Sequence, residues 1–237
     1  MSGGVCGGSE RKAWADREAV ELHRELAEAN RGAHLPALAA SVNNLANRLA
    51  AVDRQNEVLA AAQEAVELRR KLAEGNRHAH LPGLAGSVNN LANRLGESGQ
   101  RAEALNVVRE AVELYRELTE RNRDAYLYDL AASVDNLAVR LGEAGQRVEA
   151  LTAAREAVDL RRELVEVNRD AYLPDLAVSV HNLAIRLGKA GQRAEGLAAM
   201  QEVVELYREL AAGDREMYMP LIERANDLLF TSDETSR

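Results

Sequence analysis

Cysteine is all but missing from this chain of 237 residues: the single copy, Cys6, has no intrachain partner. A disulfide framework and a cysteine-based metal site are therefore excluded, and a reducing, cytoplasmic setting is expected. Proline is scarce, with four copies, and aromatic residues make up 3% of the chain. Both argue against a sheet protein, because strands favour β-branched and aromatic side chains. No apolar run reaches the roughly 18 residues of a membrane span, and no basic-then-apolar signal peptide opens the chain. Neither a membrane partner nor secretion is expected. Net positive charge is missing too: the formal charge is −8 and the pI about 5.3. Phosphate attraction has no net field to work with, so nucleic acid is not an expected partner.

What is present is repetition. SVNNLANRL at Ser41 returns as SVNNLANRL at Ser87, SVDNLAVRL at Ser133 and SVHNLAIRL at Ser179, a step of 46 residues each time. A second block keeps the same phase: REAVELHREL from Arg17, QEAVELRRKL from Gln63, REAVELYREL from Arg109, REAVDLRREL from Arg155 and QEVVELYREL from Gln201. An insertion within a packed element would shift every later contact, so copies that hold their phase are stacked examples of one supersecondary unit.

Both blocks read as helices. In the first, called A, Leu35, Leu38, Val42, Leu45 and Leu49 follow helical spacing, with Ala39 and Ala46 beside them. Pro36, Pro82 and Pro174 are expected in its first turn, with Asp124 or Asp170 as cap. Gly99, Gly145 and Gly191 suit the left-handed residue that ends it. In the second, B, Leu105, Val108, Val112, Leu114 and Leu118 mark another amphipathic face. Ala46, Ala92, Ala138 and Ala184 in A, with Ala19, Ala65, Ala111 and Ala157 in B, are small residues on those faces and mark helix crossings. One pair of helices buries too little apolar surface to offset its lost chain entropy, so each unit needs its neighbours.

The expected class is all-α, about ten helices stacked as a superhelix. A flexible tail spans 1–9, and a single domain spans 10–230. That domain holds a half-unit helix at 10–31, four repeats at 34–77, 80–123, 126–169 and 172–213, and a capping helix at 217–230; a second flexible tail covers 231–237. Asn226 stands where Val180 stood one period earlier, a polar swap that reads as a solvent cap.

Asn44-Leu45-Ala46 and its copies, the turn glycines Gly99, Gly145 and Gly191, and Glu103-Ala104-Leu105 and its copies resemble the tetratricopeptide repeat. The likeness is strongest to the long-repeat subtype of kinesin light chains and bacterial signalling proteins, and it covers roughly residues 10 to 230. It departs from that pattern in its longer unit, in Asp53 where the turn glycine belongs, and in Leu49 and its copies where an aromatic is usual. The resemblance implies a right-handed superhelical solenoid of antiparallel helix pairs. It further implies that helix A lines the concave surface and that its asparagine reaches a bound extended peptide.

Asn44, Asn90, Asn136 and Asn182 recur in mid-helix, flanked by Asn43, Asn89, Asp135 and His181. Asparagine is a mediocre helix former, so local propensity does not select it. A carboxamide offers a donor and an acceptor to a peptide backbone; equally, it can bond a neighbouring helix and set the angle between repeats. Both readings are open at this point. One turn along, Asn47, Asn93, Val139 and Ile185 change from polar to apolar toward the C-terminus, which predicts a ligand with an apolar residue at one end. Neighbouring helices lie about 8–10 Å apart and an extended chain rises about 3.3 Å per residue, so one rung serves about three peptide residues.

A second ladder, Arg48, Arg94, Arg140 and Arg186, is expected to stack across adjacent A helices, with a carboxylate clamp as the alternative. No catalytic constellation recurs, and GESGQ and GKAGQ lack the context of a nucleophile elbow or a P-loop. No cofactor or metal is expected: His34 and His80 are helix-end packing residues in the slot held elsewhere by Tyr126, Tyr172 and Tyr218, and zinc at the neighbouring pair His78 and His80 is the lesser alternative. The Glu and Arg runs are taken as solvated helix faces with i, i+4 pairs. The sequence thus points to a noncatalytic scaffold that binds a protein or peptide segment. Two alternatives accompany it: a homo-oligomer joined through the unmatched terminal helices, where Leu229 and Phe230 favour contact, and a recognition arm related to a larger bacterial signalling protein.

Overall fold

The structure, a computed structural model, describes the backbone of residues 3–50 and 54–234 and the side chains of residues 12, 14–50, 54 and 57–227. The Cys6, Leu229 and Phe230 side chains and all of Asp53 lie outside that range. Among the described residues there are ten helices and no strand: α1 (Gly3–Ala29), α2 (Arg31–Ala50), α3 (Gln55–Gly75), α4 (Arg77–Glu97), α5 (Arg101–Arg121), α6 (Arg123–Glu143), α7 (Arg147–Val167), α8 (Arg169–Lys189), α9 (Arg193–Leu210) and α10 (Arg215–Glu234). The even-numbered helices are the A elements and the odd-numbered ones the B elements. The chain divides into two compact units, Met1–Leu118 and Thr119–Arg237.

The A helices α2, α4, α6 and α8 start earlier than the sequence suggests, because asparagine rather than aspartate caps them. The side-chain oxygens of Asn30, Asn76, Asn122 and Asn168 accept from the backbone N–H of Ala33, Ala79, Ala125 and Ala171 at 3.1–3.2 Å. Asp214 does the same for Met217 at 3.0 Å. Asp124 and Asp170 are therefore first-turn residues near the positive end of the helix dipole, not caps. Pro36, Pro82 and Pro174 consequently lie inside their helices, past the first turn. The carbonyls they leave without a partner, four residues back, belong to the exposed Gly32, His78 and Asp170, where water can serve them.

Helix ends follow the expected chemistry. Gly99, Gly145 and Gly191 have φ of +80°, +76° and +76°, and Gln100, Gln146 and Gln192 each donate a backbone N–H back to Leu95, Leu141 and Leu187 at 2.9 Å. This pairing closes the last turn and frees the chain to enter the next B helix. Helical backbone exceeds the expected limits at both ends: α1 begins at Gly3, within the supposed tail 1–9, and α10 runs to Glu234 rather than 230. Once a helix has formed, each added residue contributes a hydrogen bond at little extra cost.

In the first unit the deepest side chains are Val42, Leu49, Val66, Leu81, Val88, Leu95, Val108 and Val112; in the second they are Val134, Val158, Val180 and Val203. Ala46, Ala65, Ala92, Ala111, Ala138, Ala157 and Ala184 are all buried, as close helix crossings require. Ala19, on the less enclosed α1, is only partly covered. The charged runs on the B helices and at the starts of the A helices do more than coat a solvated face. Arg70 bonds Glu110 (2.7 Å), Arg77 bonds Glu117 (2.6 Å), Arg123 bonds Glu163 (2.6 Å), Arg162 bonds Glu202 (3.0 Å) and Arg169 bonds Glu209 (2.7 Å). Arg17–Glu57, Arg24–Glu64 and Arg155–Glu195 repeat the pattern. In each pair the residues are 40 apart, so they bridge different helices rather than turns of the same one: Arg17, Arg24, Arg70, Arg155 and Arg162 tie one B helix to the next, whereas Arg77, Arg123 and Arg169, each the first residue of an A helix, reach the B helix that follows.

Candidate functional site

The conserved register of the A helices places two polar rows side by side, and they behave differently. Asn43 points at the next A helix: its oxygen accepts from Ser87 Oγ and from Asn90 Nδ2, each at 3.4 Å. Two copies later Asp135 accepts from Ser179 Oγ at 2.8 Å. Ser87 and Ser179 are thus buried struts between A helices, and Asn43 and Asp135 are spent on holding them, whereas the partly covered Ser41 bonds His23 of α1 at 2.7 Å. His181 breaks the series because Ala225 stands where the next serine would be. Its Nδ1 is buried without a hydrogen-bond partner, and burial, aided by Arg224, pushes its pKa down.

The main row is more open. Asn44 is exposed, while Asn90, Asn136 and Asn182 are partly covered. Asn90 gives one N–H to Asn43, and Asn136 also has a partner. Of the row one turn along, Asn47 is exposed and Asn93 and Val139 are half-buried. Ile185 is 39% exposed and borders an apolar cleft of about 210 Å³ with Ala184, Leu197 and Met200.

A group that pattern reading missed sits in the second unit. Arg161, on the B helix α7, is only 5% exposed, yet its guanidinium reaches between the A helices α6 and α8. Nη1 lies 3.3 Å from Asp175 Oδ2 and Nε 3.6 Å from Asp135 Oδ2, and the guanidinium carbon stands 4.7 Å above the Tyr128 ring. Tyr128 in turn leans on Tyr172, with ring centroids 5.8 Å apart. Burial raises the Asp135 carboxyl above its ordinary range, with Ser179 and Arg161 pulling it back; burial also raises Asp129 and Tyr128. The sign of this cluster in the sequence is the position of the B block that varies most from copy to copy: His23, Arg69, Tyr115, Arg161 and Tyr207.

The arginine ladder divides by copy. Arg48 pairs with Asp16 on α1 at 3.3 Å. Arg94 and Arg140 bond Glu97 and Glu143 on their own helices, each at 2.7 Å. Arg186 lies across Gly142 of the preceding A helix, so close that a Cβ there would meet Nη1 at 2.5 Å. The half-buried Arg186 has its pKa lowered by burial, against the pull of Asp135 and Glu143. His78 is exposed and His80 partly covered. Among the described residues no three His, Cys, Asp or Glu side chains gather where they could hold a metal ion, and no helix is long and apolar enough to cross a membrane.

Comparison with known proteins agrees with this geometry. The tetratricopeptide repeat family model matches residues 84–122, 130–170 and 176–212. No curated protein matches the sequence. Among solved structures, BtubC (BKLC) from P. vanneervenii is similar over 96% of this chain and 84% of its own, at 16% identity and a TM-score of 0.71. A putative kinesin light chain from Podosopora anserina with nearly identical TPR-like repeats is 24% identical, covers 89% of this chain and 95% of its own, and has a TM-score of 0.62. A Rap protein in complex with Competence and Sporulation Factor is 16% identical over 96% of this chain and 62% of its own, with a TM-score of 0.57.

Proposed function

Because the chain belongs to the tetratricopeptide repeat family, whose members are scaffolds for protein and peptide partners, we propose that it is a noncatalytic holder of an extended partner segment. The segment lies along the A helices, across Asn44 and Asn90 in the first unit and across Asn136 and Asn182 in the second. The observation that carries this reading is the division of labour between adjacent rows. Asn43 and Asp135 are consumed by serine struts, whereas Asn44 beside them stays exposed and makes no hydrogen bond among the described residues. A carboxamide left over after packing is satisfied is available to pair with a peptide main chain. The Rap protein, a structural neighbour, was solved with Competence and Sporulation Factor bound, which supports the same use of the fold here.

Carboxamide contacts at about 0.5–1.5 kcal/mol each fall short of the roughly 8 kcal/mol of micromolar binding, so side-chain anchors add the rest. Half-buried Val139 and the exposed Ile185 with its apolar cleft supply one such anchor toward the C-terminal end. Peptide-display selection on the intact chain and on its Asn44/Asn90/Asn136/Asn182→Ala variant tests the proposal. Loss of capture with unchanged helicity by circular dichroism is the expected result. Equal capture by both proteins would refute the role of the row, and selection without an apolar preference at one end would refute the anchor.

A further inference from the structure

Arg69 occupies, two periods earlier, the place of Arg161, but its surroundings have been stripped of charge. Where Arg161 has Asp175, Arg69 has Gly83; where Arg161 has Asp135, Arg69 has Asn43; and where Arg161 stands over Tyr128, Pro36 takes that position. The Arg69 guanidinium has moved into the space that the missing side chain leaves: a Cβ at Gly83 would meet Nη1 at 2.2 Å and Cζ at 2.8 Å. No ion pair or hydrogen bond of the Arg69 side chain occurs among the described residues, and its Nε is buried without a partner. The only influence on its pKa is burial, which lowers it; no carboxylate raises it. A guanidinium withdrawn from water without a counter-charge is costly, and it is relieved when an anion arrives.

The second unit shows which anion this geometry accepts, since there the same side chain between two A helices takes aspartate carboxylates from both. We propose that Arg69 is a receptor for an acidic side chain of the bound partner segment, which completes in trans the pair that Arg161 makes in cis. The site rests on the peptide-holding reading given above and adds a charge to it. An aspartate or glutamate of the segment enters between α2 and α4 and bonds the Arg69 guanidinium through its planar donor fork. Arg69 is half-buried rather than sealed, so the receptor is open to solvent on one side.

The test is peptide-display selection on the full chain, on Arg69→Met and on Gly83→Asp. The last variant supplies in cis the carboxylate that Asp175 supplies to Arg161, and the three atoms nearest to its Cβ all belong to the flexible side chain of Arg69. The wild-type chain is expected to select Asp or Glu at one position, and replacing that residue by Asn or Gln is expected to weaken binding about tenfold or more. Both variants should still capture peptides but lose the acidic preference. Selection with no acidic preference, or a preference that survives in both variants, overturns the receptor and leaves the scaffold reading standing. Failure to capture any peptide overturns the scaffold reading instead. The receptor is then decided by titrating acetate while following the Arg69 Nε–Hε resonance by NMR. A saturable shift that is absent in Gly83→Asp supports it, and no shift overturns it.

Discussion

Replacing Arg161 by methionine removes the charge at the centre of the second unit while keeping most of the side chain's volume. Asp135 and Asp175 then lose the cation that lies 3.6 and 3.3 Å from them. Removing one partner of a buried ion pair costs about 3–5 kcal/mol. Asp175 is 38% exposed and Asp135 22%, so solvent screens part of the loss and about 3 kcal/mol is expected. With an unfolding entropy of about 2.1 cal/mol/K per residue, that lowers the melting temperature by roughly 6 °C if the whole chain melts together, and by about twice as much if the second unit melts alone. The pH dependence gives the sharper test. Burial already holds the folded Asp135 carboxyl above its unfolded value, so its stability contribution is greatest when it is protonated and falls as pH rises through the raised folded pKa. Without Arg161 that pKa rises further, and the gap between variant and wild type should narrow as pH falls from neutral toward the ordinary carboxylate range. In the Asp135→Asn background most of the penalty should vanish. Urea melts of the four proteins of this double-mutant cycle, run at neutral and mildly acidic pH, measure it. A destabilisation below 1 kcal/mol, or one unaffected by pH and by Asp135→Asn, would refute the assignment of a buried ion-paired cluster.

Two further outcomes follow from the helix ends and the ion pairs between helices. Asn168→Ala, which deletes the acceptor for the Ala171 N–H, should cost about 1 kcal/mol in chemical denaturation, whereas Asp170→Ala should cost a few tenths. Arg123 holds the Glu163 carboxyl below its ordinary value, chiefly through their hydrogen bond. The pair's stabilisation is therefore present above the unfolded glutamate pKa and is lost as pH falls through the lowered folded one. Thermal melts of Glu163→Gln and wild type should converge at acidic pH and in high salt, and a gap that persists under both conditions would contradict the pairing.

Much of the fold was legible along the chain because its determinants are local. Phase kept over 46 residues, apolar faces at helical spacing, and glycines at left-handed turns each depend on a few neighbouring residues, and the structure realises all three. The misplaced helix starts have a local cause as well: Asn122 and Asn168 compete with the aspartate two residues later and their oxygens reach the free N–H groups first, as do those of Asn30 and Asn76, where no such aspartate follows. The proline positions followed from that one misreading.

The polar residues were less legible, because a side chain's use depends on what another helix brings to it. Asn43 and Asn44 are adjacent and identical in the sequence, yet a rotation of one residue about the helix axis turns the first toward Ser87 and leaves the second in solvent. The arginine and glutamate runs read equally well as pairs within a helix; only the packing of one helix beside another selects the 40-residue partners. Arg69 and Arg161 carry the same letter in the same block, and only the juxtaposition of three helices gives one of them two aspartates and the other a glycine. Sequence alone determined where the chain turns and which faces are buried, since those choices are made within a few residues. Tertiary structure decided which charges are neutralised and which stay open, because electrostatic partners are set by distance in space and not by separation along the chain.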